Sequence, residues 1–132
     1  MANRHNNQLP HNLPQLQNLI KRDPESYKEE FCQQFRHFES TVQVFELKPE
    51  EYSKSLDEQV MFLAQVSKCY PEELTDFPLK LITILNRHST VLNPEMRMAL
   101  CKSLILLRYL FIYYLCIAKI AMQSLKEKGY LI

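Results

Sequence analysis

The chain contains very little glycine. One Gly stands among 132 residues, and glycine supplies the positive φ angles that tight β-hairpin turns need. β-Hairpins are therefore hard to build in this sequence. Seven prolines are present, most of them where helices would begin or end. Both observations favour an all-α protein.

Several chemical signatures are also missing. The sequence has no Cys-x-x-Cys, no Gly-rich phosphate loop and no Gly-x-Ser-x-Gly. Its N-terminus has no positively charged segment followed by an apolar run, so no secretory signal is predicted and an intracellular, reducing location fits. The four cysteines lie in or at the ends of predicted helices and are expected to be buried and reduced: Cys32, Cys69, Cys101 and Cys116.

The histidines do not form a catalytic or metal-binding pattern. His5 and His11 fall in a polar N-terminal segment, His37 is expected at the surface or the edge of the core, and His88 is expected to cap a helix C-terminus. The sequence therefore predicts no enzyme, no cofactor and no metal site.

Apolar residues recur every three or four positions, which predicts helices along most of the chain. Residues 1–12 are predicted to be a flexible tail, and residues 13–128 one helical domain. The predicted helices are 13–22, 25–47, 56–70, 79–88 and 93–128, with a short turn at 71–77. Asn93-Pro94 is a strong start signal for the last of them, because Asn caps a helix and Pro suits its first turn.

The second predicted helix carries an aromatic stripe that is typical of a core. Its apolar residues are Tyr27, Phe31, Phe35, Phe38, Val42 and Phe45. The inward residues expected elsewhere are Leu13, Leu16, Leu19, Ile20, Val60, Leu63, Ala64, Val66, Leu74, Phe77, Leu81, Ile82 and Leu85.

Helices of this length with short connections pack as antiparallel neighbours. Pairs stacked on one another would form a HEAT/ARM-like α-solenoid fragment that ends in a long C-terminal helix. No repeat of fixed period is visible in the sequence, so this prediction depends on helix pairing alone.

The net charge of +1 is unevenly distributed. Residues 23–58 carry ten acids against four bases, whereas residues 78–128 carry eight bases against two acids. Solvated helix faces of opposite sign are one explanation, and an acidic second helix could also face the basic last helix. A third explanation is that the basic residues form a surface that contacts RNA.

A membrane-associated alternative depends on residues 104–118, which are apolar apart from Arg108. A spanning helix needs about 20 apolar residues, so this stretch is shorter and interrupted. It suits a buried helix better than a membrane anchor.

Three stretches resemble the SDA (severe depolymerisation of actin) family. They are NLPQLQNLIKRDP at 12–24, VMFLAQVSKCYP at 60–71 and TVLNPEMRMALCKSLILLR at 90–108. The resemblance covers about residues 3–108. It implies a helical-repeat protein of the nucleus and nucleolus that acts in ribosome biogenesis, assembling and exporting the large ribosomal subunit. The implied partners are pre-60S particles, their assembly factors and rRNA. The family is also linked to actin cytoskeleton organisation and protein transport, and implies no catalytic residue.

The sequence departs from the family pattern after Arg108, where residues 109–132 form a divergent helical tail. Two further interpretations follow from this departure: a truncated isoform, or an inert product that is cleared by quality control. The all-round apolar surface of the tail predicts an exposed patch and a tendency to associate.

Four basic residues are the candidate RNA or partner contacts. Lys21 and Arg22 end the first predicted helix, and Arg97 and Lys102 lie on the polar side of the last. The competing expectation is internal pairing with Glu29, Glu30 and neighbouring acids.

Overall fold

The computed structural model describes residues 12–127 and Gly129, apart from the side chains of residues 110–118 and 125. The predicted flexible tail thus lies outside the described residues, except for Asn12. The described part contains no strand and folds into five helices. These are α1 (Leu13–Arg22), α2 (Lys28–Phe45), α3 (Lys54–Gln65), α4 (Phe77–Arg87) and α5 (Pro94–Glu127).

Side-chain caps start three of these helices. Asn93 Oδ1 accepts hydrogen bonds from the backbone N–H groups of Glu95 at 2.8 Å and Met96 at 3.2 Å, which confirms the predicted start of α5. Ser53 caps α3 through Leu56 N at 3.2 Å. Asn12, the last residue of the predicted tail, caps α1 by accepting a hydrogen bond from Gln15 N. Each cap satisfies a donor that the first turn leaves free.

Two helix boundaries differ from the predictions by three residues or more. Helix α2 begins three residues late because the Asp23 carboxylate accepts hydrogen bonds from Ser26 N at 3.4 Å and Ser26 Oγ at 2.6 Å, which holds a local turn. Helix α3 ends at Gln65 rather than at residue 70. There the Ala64 carbonyl accepts both the N–H and the hydroxyl of Ser67, a local bonding pattern that competes with the helix.

Helices α2 and α3 form an antiparallel hairpin that is closed by Tyr70. The Tyr70 hydroxyl donates to the Pro24 carbonyl at 2.7 Å, and its ring stacks on Phe31 with centroids 4.1 Å apart. The chain after α3 therefore returns to the start of α2. Helices α4 and α5 form the second hairpin.

The aromatic stripe of α2 forms the core, as predicted. Phe31, Phe38 and Phe45 are buried, and Tyr27, Phe35 and Val42 pack against them. Leu74 and Phe77 are also buried. Ile82, however, was expected inside and is 42% exposed. The core-facing line of α4 runs through Phe77, Leu81 and Ile84, and Ile82 lies about 100° around the helix from Leu81.

The two hairpins stack in parallel. Lys80 of α4 contacts Glu39 of α2 at 2.6 Å, and Arg87 contacts Glu46 at 2.8 Å. Both pairs are separated by 41 residues in sequence, so α4 runs beside α2 in the same direction. Since each is antiparallel to its hairpin partner, α5 runs parallel to α3. This two-layer stack confirms the predicted all-α, solenoid-type fold.

The separation of 41 residues is a structural repeat that the sequence does not display. Helices α3 and α5 bury positions that are 40 residues apart, such as Leu56 and Met96 or Val60 and Leu100. A period of this length is typical of HEAT and armadillo repeats, which run to about 40–47 residues. Helix α1 packs on the other side of α3.

The first stability prediction concerns Ser103, which is fully buried on α5 and whose hydroxyl has no hydrogen-bond partner among the described residues. Ser103→Ala removes an unpaired polar atom, so we expect the free energy of unfolding to stay level or to rise by up to about 1 kcal/mol. Leu100→Ala, one turn earlier, should lower it by about 2–5 kcal/mol. Urea denaturation measures both. A loss above 1 kcal/mol for Ser103→Ala would contradict the prediction.

The second stability prediction concerns Tyr70. Burial raises the pKa of its phenol to about 12 from 10.0, so the folded state favours the neutral phenol. Its contribution to stability is present below pH 10 and is lost as the pH rises to 12. Tyr70→Phe should lower the free energy of unfolding by about 1 kcal/mol at neutral pH. It should also reduce the fall of that free energy at alkaline pH.

Urea denaturation between pH 7 and pH 12 provides the measurement. Tyr109→Phe, at an exposed position on α5, is the matched control and should keep the wild-type profile. An unchanged alkaline decline in Tyr70→Phe would contradict the prediction.

Candidate interaction surfaces

An open groove of about 770 Å³ lies between α1, α3 and α5. Its walls are largely apolar. The apolar lining residues are Leu13, Pro14, Met61, Phe62, Pro94, Met98 and Ala99. The groove lies on the layer formed by α1, α3 and α5, away from α2 and α4.

The rim of the groove carries charges of both signs. Lys54 and Lys102 lie there with Asp57, Glu58 and Glu95. The Tyr52 hydroxyl donates to Asp57 Oδ2 at 2.6 Å. This bond to a carboxylate raises the pKa of Tyr52 to about 12. A rim of mixed sign favours no single charged ligand.

The predicted contacts of α1 lie at its C-terminal end. Both residues are exposed, and their charge suits the negative end of the helix dipole. The Lys21 ammonium donates to Gln65 Oε1 at 3.4 Å. Neither Lys21 nor Arg22 forms an ion pair with Glu29 or Glu30 in the described structure.

The predicted contacts of α5 point in different directions. Lys102 lines the groove, whereas Arg97 donates to the Ser89 carbonyl at 2.8 Å in the connection before α5. Five residues separate them, which is about 140° around a helix. Arg97 and Lys102 therefore do not share one surface, and a role for either in RNA binding stays a prediction.

Glu39 of α2 and Glu46 at its C-cap pair with α4, so the alternative in which the acidic α2 faces the basic last helix is not the arrangement of these acids. Glu46 Oε2 contacts both Arg87 at 2.8 Å and His88 Nε2 at 3.0 Å. His88 stands at the C-cap of α4 as predicted, but its ring contacts this carboxylate. Parallel stacking explains the outcome, because it brings α4 and not α5 alongside α2.

A further ion pair fixes the turn before α4. Lys28 contacts Glu73 at 2.8 Å. The hydrogen bond between them raises the pKa of Lys28 and lowers the pKa of Glu73.

The described thiols and histidines form no cluster. In residues 12–127 and Gly129, no three His, Cys, Asp or Glu side chains are placed to hold a metal ion. His37 is exposed, as predicted. Cys32 and Cys69 are half-buried and unpaired, but Cys101 is exposed, so its predicted burial was wrong. Cys101 lies on the side of α5 that the core does not use. Cys116 lies outside the described side chains.

The membrane alternative gains no support. Within the described residues, the structure contains no helix with the length and apolar character to cross a bilayer.

Sequence reasoning missed the exposed apolar line of α5. Met98, Ile105 and Tyr109 are 57%, 56% and 69% exposed. Their separations of seven and four residues place them on one side of the helix, opposite buried Met96, Leu100 and Ser103. The sequence of α5 contains this second apolar line, but it does not show which of the two lines faces the core. The patch predicted for residues 109–132 is confirmed at three described positions, Tyr109, Ile120 and Met122, which are exposed.

The stacked hairpins, with their 41-residue separation, define a helical-repeat protein of the HEAT class. The family model described as "SDA1, HEAT repeat" matches residues 62–112. The chain is 56% identical over 108 residues to the Protein SDA1 homolog of Xenopus tropicalis, covering 82% of the chain and 16% of the relative.

Other SDA1 proteins are also similar to the chain. The Protein SDA1 homolog of Drosophila melanogaster is 57% identical over 108 residues, covering 82% of the chain and 15% of the relative. Protein sda1 of Schizosaccharomyces pombe is 37% identical over 98 residues, covering 74% and 13%. The chain belongs to the SDA1 family. It spans only about 16% of the length of the first of these relatives.

The exposure of Cys101 generates a labelling prediction. In a Cys116→Ser variant, Cys101 should react with a maleimide faster than Cys32 and Cys69, which are half-buried. Burial also raises the pKa of the Cys69 thiol, which lowers its thiolate fraction and slows it further. Mass spectrometry of peptides after timed labelling measures the order. Equal rates for Cys69 and Cys101 would contradict it.

Proposed function

We propose that this chain is a non-enzymatic scaffold module in the assembly and nuclear export of the large ribosomal subunit. Membership of the SDA1 family carries the proposal, together with the nucleolar role that the family resemblance implies. The expected partners are pre-60S particles and their assembly factors, and the expected location is the nucleolus.

The proposed mechanism is surface recognition with no chemical step. Stacked hairpins form a rigid array whose helix faces are offered to partners. Lys21, Arg22 and Lys102 are exposed and form no ion pair within the described residues. Arg97 is bonded only to a carbonyl, so its charge is also not neutralised. These charges support contact with rRNA phosphates.

Sedimentation of nuclear extract tests the assignment to pre-60S particles. The tagged 132-residue chain should co-migrate with large-subunit precursors in a sucrose gradient and should appear in the nucleolus by microscopy. A chain that stays at the top of the gradient in low salt and is excluded from the nucleolus would overturn the proposal.

The four basic residues generate a salt-dependence prediction. If all four contact phosphates, the logarithm of affinity for pre-rRNA should fall with the logarithm of salt with a slope of about −3. Lys21→Gln with Arg22→Gln should weaken binding and reduce the magnitude of that slope by about 1.5. Filter binding between 50 and 300 mM salt, on the order of the physiological range, measures both.

Arg36→Gln with Lys48→Gln is the matched control, because both bases are exposed and lie elsewhere on the fold. It should leave the slope unchanged. A slope near zero for the wild-type chain would contradict the RNA assignment.

A further inference from the structure

Helix α5 presents a second, exposed face to solvent. Its core side is formed by Met96, Leu100 and Ser103, which are buried. The exposed apolar line of Met98, Ile105 and Tyr109 lies on the other side. Met98 also lines the groove between α1, α3 and α5. Apolar surface therefore continues from that groove along α5 to Tyr109.

The far end of α5 is exposed all round. Helix α5 has 34 residues, which corresponds to about 51 Å. The described side chains at 119–124, 126 and 127 are all exposed, including Ile120 at 70%. Each described side chain of this stretch is thus open to solvent and can be reached by another molecule.

A line of basic residues runs beside the apolar line. Arg97, Arg108, Lys119 and Lys126 are exposed and follow one another at separations of 11, 11 and 7 residues. These separations are close to three, three and two helical turns, so the four side chains share one side of α5.

No acid neutralises this line from within the helix. The sequence of α5 has no Asp or Glu between Glu95 and Glu127. Among the described residues, none of the four bases forms a salt bridge. Arg97 is held by the Ser89 carbonyl. The face therefore combines uncovered apolar surface with uncompensated positive charge.

We propose that this outer face of α5 is a docking surface for an amphipathic helix of another protein, one whose apolar stripe is bordered by Asp or Glu. The apolar line buries the stripe, and the basic line pairs with the acids. This proposal does not depend on the role of the chain in ribosome assembly.

Charge complementarity selects this occupant over two others. A second copy packed through the same face would bring its own basic α5, with no acid between Glu95 and Glu127, and would leave the positive charge uncompensated. RNA phosphates would neutralise the bases but would leave Met98 and Ile105 exposed. An acidic amphipathic helix satisfies both parts of the face.

The test uses the full 132-residue chain and a fluorescent synthetic peptide. The probe is a helix with Leu at the a and d positions of each heptad and Glu at the flanking positions. One comparator replaces Glu with Gln, and a second scrambles the order so that no stripe forms. We expect micromolar affinity for the probe by fluorescence anisotropy, and at least tenfold weaker binding of either comparator.

Two variants of α5 separate the apolar and basic contributions. Ile105→Ser with Tyr109→Ser removes apolar contacts, and Arg108→Gln with Lys119→Gln and Lys126→Gln removes charge. Each should weaken binding of the probe at least fivefold. Bound probe should also slow maleimide labelling of Cys101, which lies between the two lines.

Matched controls change the same residue types elsewhere on the surface. Val44→Ser with Leu47→Ser alters exposed apolar residues at the end of α2, and Arg36→Gln with Lys48→Gln and Lys68→Gln alters exposed bases. Neither should change affinity for the probe by more than twofold. Circular dichroism confirms that every variant keeps the helical content of the parent chain.

Three outcomes would overturn the proposal. The first is no binding of the probe, or equal binding of the scrambled peptide. The second is binding of a single-stranded RNA oligonucleotide that only the charge variant weakens, with no effect of Ile105→Ser and Tyr109→Ser on either ligand. The third is self-association by sedimentation equilibrium that Ile105→Ser and Tyr109→Ser abolish and the probe does not displace.

Discussion

The packing of α3 against α5 holds the two hairpins together. Both helices bury inward residues 40 positions apart in the chain, Leu56 and Met96 as well as Val60 and Leu100, and they pack against each other. Burial of side chains of this size contributes about 1.5–3 kcal/mol each. Once α3 and α5 are parallel, α2 and α4 must also be parallel, and the ion pairs of Glu39 and Glu46 follow from that arrangement. Because these pairs are partly exposed, they add little stability. They do show how α2 and α4 are aligned with each other.

Local signals predicted the helices well because they depend on neighbouring residues. The Asn93-Pro94 start, the Phe stripe of α2 and the buried Leu74 all follow from short-range pattern. The boundaries that failed depend on side chains that bond locally, such as Asp23 with Ser26. The repeat is not visible in the sequence because a core position can be filled by different residue types, provided that their volume is suitable and their polarity is low. Ser103 occupies the position that corresponds to Leu63, so self-similarity is weak.

The surfaces were harder to predict than the fold, since they depend on which helices become neighbours. Exposure of Lys21 and Lys102 followed from sequence, but the placement of Lys102 in a groove with α1 required the packing of three helices. The second apolar line of α5 could equally have faced the core. In the structure Met96 and Leu100 face the core instead, and this leaves the second apolar line exposed. The partner of Glu46 lies 41 residues away, beyond the reach of any local pattern.

The exposed end of α5 also separates two kinds of evolutionary constraint. A substitution at a buried position such as Leu100 is opposed by loss of the fold itself. A substitution between 119 and 127, where every described side chain is exposed, changes little but the surface that other molecules meet. Selection for stability therefore acts weakly there, and residues retained in that stretch would be retained for what they bind. Comparison of this stretch among close orthologues would then record the history of an interaction rather than the history of a fold.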